Sequence, residues 1–497
     1  MGPADPTLRG VFERYLRAIA DPGAALPQRV EARGLVGGSG LVGRFHRWRT
    51  EGRERFDESL GPRTESSFYV AGLGYVVNGD GNVRSLTGIG LRRDRTQRAV
   101  ADGLFVTDGA HCSLLGTVYL DHRRASLVSY APAGGEVETI AFDDESGLPA
   151  RIAYDEDDGT TTIDLSDWRT VAGRRYAFRA VESNGDRNFD VVLQTESIVA
   201  DRPIDEAVYG VPPNRTIVMT GSQTVPIEIT DGHLYVPIRL LGKSYRFLVD
   251  TGAQNVVLDT RVARELGLEG EGFLEASGAA RTSGLQLASL ADLQVGRGHL
   301  RDLVVTTLDL AGSTAGVFPI DGILGYPFFA STIARIDLSA KTMTFGPPGA
   351  FVPIGERVAV DVDREYPEAT LRVNDAIEAP FIVDTGNTAE LLLYRPFVTR
   401  NPGLVPEAAA GENSFGIGGA TPSYRTTLDR LDLAGFPLYH LDTDVMLATR
   451  GAFADRVDAG NVGLGVLRNF ATTFDESNGA IYLERGASFD DGRRRRS

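Results

Sequence analysis

The chain has 497 residues, 42% hydrophobic and 24% charged, with 58 glycines and 24 prolines. That composition excludes collagen, coiled coil and wholesale disorder, and the length allows about two to four domains. With 51 basic against 67 acidic side chains the net charge is −16, which repels phosphate backbones, so no nucleic-acid partner is expected.

No apolar run approaches the roughly 18 to 20 residues of a membrane-crossing helix, so no integral membrane segment is expected. The opening MGPADPTLRG lacks the basic and apolar regions of a leader. The expected location is periplasmic or secreted, with the leader absent from the chain as it stands and a cytoplasmic location left open. One cysteine, Cys112, forbids an intramolecular disulfide and a cysteine-based zinc site.

In chain order, the first element is a helix. Leu8, Val11, Phe12, Tyr15, Leu16 and Ile19 recur at helical spacing, with Thr7 placed as its cap, and one face is expected to pack on a sheet. From about residue 28 to 200 the pattern changes to short alternating runs, such as 151–154, 160–165, 176–181 and 189–195, separated by Gly, Asn and Asp clusters. The acidic and glycine-rich stretches 78–82 and 155–159 lack the ligand spacing of an EF-hand and read as hairpin turns. The stretch is thus an α+β domain with a curved antiparallel sheet, residues 1–218, ending where a linker-like Pro212-Pro213-Asn214 begins. In strand spacing it is similar to the curved-sheet periplasmic domains that bind lipoprotein lipids. That resemblance implies an envelope or lipoprotein partner, and a role in presenting a substrate or partner or in regulation.

The second half carries an internal repeat. Phe247-Leu248-Val249-Asp250-Thr251-Gly252-Ala253 returns 134 residues later as Phe381-Ile382-Val383-Asp384-Thr385-Gly386-Asn387. Each copy follows a predicted strand, 235–240 or 369–373. Downstream, Asp321-Gly322-Ile323-Leu324-Gly325 is echoed by Asn461-Val462-Gly463-Leu464-Gly465, and residues 336–345 align without a gap onto 474–483, both as β-hairpins. The fold class is therefore mainly β: two homologous barrel-like lobes, 219–346 and 347–490, behind the α+β domain. The basic tail 491–497, with Arg493 to Arg496, reads as a disordered terminus.

Asp-Thr-Gly alone is an ordinary tight turn, but a repeated triplet with the same later motifs calls for a common task. Two carboxylates brought within about 3 Å cannot both ionise; they share a proton and titrate as a pair that can hold a water. The ionised partner accepts a proton from that water as it attacks a carbonyl, and the protonated partner stabilises the tetrahedral intermediate, without metal or cofactor.

On these residues the sequence resembles the single-chain aspartic proteases, of the retropepsin-like and pepsin-like type, over about residues 219–490. The resemblance implies an aspartic endopeptidase acting on a peptide or protein substrate. Asp250 and Asp384 are then catalytic, Thr251 and Thr385 form an interlobe clasp, and Gly252 and Gly386 let the backbone approach the carboxylates. It also implies flap hairpins over the substrate, for which Ser277-Gly278-Ala279 and Ile417-Gly418-Gly419 are the candidates. The sequence departs from the family at Asn387, where Ser, Thr or Ala is usual; its amide is expected to donate to Asp384. Gly463-Leu464-Gly465 fits the hydrophobic-hydrophobic-Gly motif less well than Ile323-Leu324-Gly325. A different class stays open: a binding protein that holds a peptide or lipoprotein on the same fold without cutting it. None of the six histidines sits in a nucleophile elbow, no His-Glu-x-x-His is present, and Gly37-Gly38-Ser39-Gly40 lacks the Lys-Ser/Thr of a phosphate loop.

Overall fold

The computed structural model describes residues 6–24, 27–157, 159–277, 281–313, 320–407, 411–486 and 489. The chain divides into two compact units, one of Met1–Asn78 and Ser85–Pro212, the other of Gly79–Arg84 and Pro213–Ser497. The tail 491–497 and Gly278 lie outside the described residues.

The first unit is built on one long antiparallel sheet. Its strands lie in the order Leu73–Val77, Arg63–Val70, Arg53–Leu60, Leu41–Thr50, Arg29–Gly38, Val191–Ala200, Arg174–Ser183, Thr160–Val171, Pro149–Asp155, Glu138–Asp143, Arg123–Tyr130 and Cys112–Leu120. Sequence neighbours mostly pair, as the short alternating runs and turn residues require. A register shift at Arg33/Gly34 accompanies a close approach there: a Cβ on Gly34 would meet the ring of Phe45 at 2.6 Å.

The helix Pro6–Ile19 buries Leu8, Val11, Phe12 and Tyr15 in a cluster with Phe105, Val128, Tyr130, Ile140 and Phe142. Tyr15 and Phe105 have ring centroids 5.1 Å apart. Two expectations are corrected. Leu16 is 51% exposed, because at 3.6 residues per turn it falls about 80° from Leu8, on the edge of the apolar stripe. Pro6 and Thr7 are both helical, so Thr7 lies inside the helix and is not its cap.

The second unit holds two sheets of one topology. In the first the order is Glu228–Thr230, His233–Leu240, Lys243–Val249, Gly322–Leu324, Val257–Asp259, Gly298–Leu308, Arg281–Val295 and Glu271–Ser277. In the second it is Glu368–Val373, Ile377–Val383, Gly460–Val462, Leu391–Tyr394, Phe436–Met446, Gly419–Leu433 and Glu412–Gly416. Each closes on itself by an extra pairing, Ile238 with Val295 in one and Val373 with Leu431 in the other. Closure leaves no open edge around the apolar interior. The protein is mainly β, as its alternating sequence pattern predicts.

A third, six-stranded sheet takes strands from both halves: Gln223–Pro226, Thr342–Gly346, Ile333–Asp337, Phe470–Asp475, Ala480–Arg485 and Glu356–Ala359. Its central pair sets Ala334 against Phe474 and Ile336 against Thr472. That register is self-complementary when Ile336 and Phe474 are equivalent, so a local two-fold relation joins the halves. One apolar cluster runs through both, from Phe247, Val249 and Leu324 to Phe381, Val383 and Val462.

Candidate active site

Each Asp-Thr-Gly leaves the buried end of a strand, Lys243–Val249 or Ile377–Val383, beside a neighbour that runs parallel to it. The Asp250 N–H donates to Leu324 O at 3.1 Å and the Asp384 N–H to Val462 O at 2.9 Å. The Gly252 N–H donates to Asp250 Oδ1 at 2.9 Å and the Gly386 N–H to Asp384 Oδ1 at 2.7 Å.

The two loops are locked by a reciprocal clasp. Thr251 N–H donates to Thr385 Oγ1 at 3.1 Å and Thr385 N–H to Thr251 Oγ1 at 3.0 Å. Each hydroxyl then donates across to the opposite strand, Thr251 Oγ1 to Val383 O at 2.7 Å and Thr385 Oγ1 to Val249 O at 2.9 Å. Both threonines are buried, so the hydroxyls close polar groups that water does not reach. Glycine is required after each threonine: a Cβ on Gly252 would lie 2.7 Å from Asp384 Cγ, and one on Gly386 2.5 Å from Asp250 Oδ1.

The aspartates are therefore face to face, each partly buried and each approached by the other loop's glycine. Burial pushes the Asp250 carboxyl well above the usual carboxylate range, and the Asp384 charge and a hydrogen bond to Asp384 add to the rise. His233, at the start of its strand, is buried, and that burial holds its imidazole below the ordinary value. Its nearby charges include Asp384 and its ring bonds to the Gly386 backbone.

Two sequence readings are corrected here. Asn387 does not reach Asp384: its Nδ2 donates to Asn461 Oδ1 at 3.1 Å, and Asn461 Nδ2 donates to Asp384 Oδ2 at 2.5 Å. The later glycine motif was also read two residues out of register. Strand pairing places Gly322, Ile323 and Leu324 on Phe247, Leu248 and Val249, and Gly460, Asn461 and Val462 on Phe381, Ile382 and Val383. The counterpart of Gly325 is Gly463: Tyr326 N–H donates to Ala253 O and Leu464 N–H to Asn387 O, both at 2.8 Å. The second motif is thus Asn461-Val462-Gly463, with Asn461 where Ile323 stands in the first. The shared Gly-x-x-Gly of 322–325 and 460–463 was the signal that would have found it.

Of the flap candidates, Ile417 and Gly418 form the two-residue turn between Glu412–Gly416 and Gly419–Leu433. Gly418 and Gly419 have φ of 94° and 108°, in the region that favours glycine. Ile417 packs against an apolar cluster of the first half that includes Tyr235, Leu285, Leu308 and Ile323. In the first half, Ser277 pairs with Arg281, and the candidates Gly278 and Ala279 lie outside the described residues.

Residues 236–328 match the family described as Aspartyl protease. That segment includes Asp250-Thr251-Gly252 and Ile323-Leu324-Gly325. No curated protein matches the chain by sequence. Among solved structures, the chain is similar to an aspartic proteinase from Irpex lacteus, at 13% identity and a TM-score of 0.36, covering 55% of this chain and 99% of that one. It is also similar to a DUF1329 family protein from Desulfovibrio piger, at 12% identity and a TM-score of 0.30, over 41% of this chain and 96% of that one. A putative outer membrane lipoprotein-sorting protein domain from Vibrio parahaemolyticus matches at 8% identity and a TM-score of 0.28, over 40% and 95%. Among the described residues no helix is long and apolar enough to cross a membrane.

Proposed function

We propose that the second unit is an aspartic endopeptidase whose lobes, 219–346 and 347–490, each contribute one carboxylate to a shared site. The observation that carries this reading is the reciprocal threonine clasp, which holds Asp250 and Asp384 face to face while each accepts a backbone N–H. In the mechanism the ionised aspartate takes a proton from a water as its oxygen bonds to the peptide carbonyl carbon. The protonated aspartate donates to the carbonyl oxygen, giving a neutral tetrahedral diol. On collapse the C–N bond breaks, the proton taken from the water passes to the leaving nitrogen, and the acid partner regains its own.

An extended peptide would lie between the lobes by strand-like hydrogen bonding, under flaps for which Gly278 and Gly418-Gly419 are the candidates. Thr251, Gly252, Thr385 and Gly386 keep the carboxylates in place, and Asn387 acts one residue removed, through Asn461. The first unit, residues 1–218 by the sequence reading, presents a substrate or an envelope or lipoprotein partner, in a periplasmic or secreted setting.

The test is cleavage of a diverse peptide library between pH 3 and 8 by the full chain, by Asp250→Ala and by Asp384→Ala, read by mass spectrometry. Cleavage by the full chain alone, with both variants at least about a thousandfold slower, is expected. The profile should also persist on its alkaline side above the ordinary carboxyl range of about 4, since the acid partner Asp250 is held protonated by burial and by its neighbour's charge. Peptides bound but left intact would favour the binding-protein reading.

A further inference from the structure

The site is two-fold in most of its parts, so the places where it is not carry information. The backbone N–H of each aspartate, its glycine donor and its threonine clasp all recur in both halves. Two positions differ: the residue after each Asp-Thr-Gly, Ala253 in the first half and Asn387 in the second, and the residue at the centre of the strand beside each loop. The latter is Ile323, fully buried and apolar, in the first half, and Asn461, also buried, in the second.

The orientation of the Asn461 amide follows from its partners. The Ala389 N–H donates to Asn387 Oδ1 at 2.9 Å, which makes that atom an oxygen and leaves the Asn387 NH2 to face Asn461. Asn461 must meet that donor with its oxygen, at 3.1 Å, and so turns its own NH2 to Asp384 Oδ2, at 2.5 Å. A backbone N–H, whose polarity cannot reverse, thereby sets a relay of two amides that ends in a donor on Asp384. Asp384 then has a donor on each oxygen, Gly386 N–H on Oδ1 and Asn461 Nδ2–H on Oδ2.

We propose that Asn461 is a positioning residue that makes the aspartate pair unequal, fixing Asp384 as the carboxylate that takes the proton from water and Asp250 as the carboxylic acid. The assignment of these steps rests on the hydrolytic reading above; the inequality itself does not. Donors favour the ionised form of a carboxyl group, and Ile323 offers no donor at the matching position of the first half. The upward displacement of Asp250 agrees with this: burial, then the charge on Asp384, then the hydrogen bond from one to the other raise it, outweighing the Gly252 and Ala253 backbone N–H groups, which lower it. The other titratable groups facing the pair are His233, against Gly386, and the buried Tyr394, beside Asn461, with Asp455 and Asp458 beyond it. Tyr394 also hydrogen-bonds the Asn461 side chain, so Asn461→Leu removes that bond as well, whereas Asn387→Ala leaves it.

The experiment compares the full chain with Asn461→Leu and Asn387→Ala in two readouts: kcat/KM against pH, and the titration of 13C-carboxyl-labelled aspartates. In Asn461→Leu the acid limb should rise by about one pH unit, a roughly tenfold loss of kcat/KM on that limb, with the alkaline limb nearly unmoved. Asn387→Ala should move the same limb the same way by less, and it decides alone if Asn461→Leu does not fold. An even loss across all pH values, or profiles that superimpose on the wild type, overturns the proposal. If the wild type cuts nothing, the carboxyl titrations still decide. Two steps well separated in the wild type and closer together in the variants support the inequality and sink only the hydrolytic reading, while unchanged spacing sinks the inequality.

Discussion

Thr251 and Thr385 do work that no isostere can copy. Valine in place of Thr251 keeps the shape but removes the hydroxyl that donates to Val383 O and accepts from Thr385 N–H, leaving a buried carbonyl and a buried N–H unpaired. At about 1 to 2 kcal/mol for each, Thr251→Val should lose about 2 to 4 kcal/mol of stability, measurable by urea unfolding followed by hydrogen exchange. The Asp-Thr-Gly triplets were legible in the sequence because they are contiguous and repeated. Asn461 was not, because its meaning depends on which strand it lies against. Only the pairing of Asn461 with Ile382, and of Ile323 with Leu248, makes the two positions equivalent.

Hairpins were the elements best legible from local pattern. Residues 336–345 and 474–483 alternate around polar turns, and they lie in the hairpins Ile333–Asp337 with Thr342–Gly346 and Phe470–Asp475 with Ala480–Arg485. That the two hairpins pair with each other, through Arg335 and Thr473, depends on the two-fold relation of the halves and not on either run alone. The turn at Ile417-Gly418 was expected from its glycines, while the packing of Ile417 on the first half's apolar cluster around Tyr235 and Leu285 was not. Ile417→Ser removes an apolar contact of about 1 kcal/mol, so if this hairpin covers a bound peptide KM should rise about threefold to tenfold with kcat nearly kept. Steady-state kinetics on a peptide found in the library screen would check it.

Across the whole molecule, residues 79–84 sit within the first half of the sequence yet count with the second compact unit. The Val304 N–H donates to Asp80 Oδ1 at 2.7 Å, and Asn82 Nδ2 donates to Ser331 Oγ at 2.9 Å, all with buried side chains on the 79–84 segment. Asp80→Ala should therefore lower the stability of the second unit by about 1 to 3 kcal/mol, seen as faster amide exchange in the strand Gly298–Leu308. From the sequence this stretch was legible only as a turn, since turn residues announce local backbone geometry and not the distant group they satisfy. Strand alternation, the apolar helix face and the doubled triplet depend on neighbours within a few residues, and they were legible before any fold was known. The register of the second glycine motif, the relay from Ala389 to Asp384 and the task of Asp80 depend on groups brought together from afar, where burial forces each N–H and carbonyl to find a partner. Such pairings exist only once the chain has closed on itself, because in the open chain water satisfies the same groups equally well.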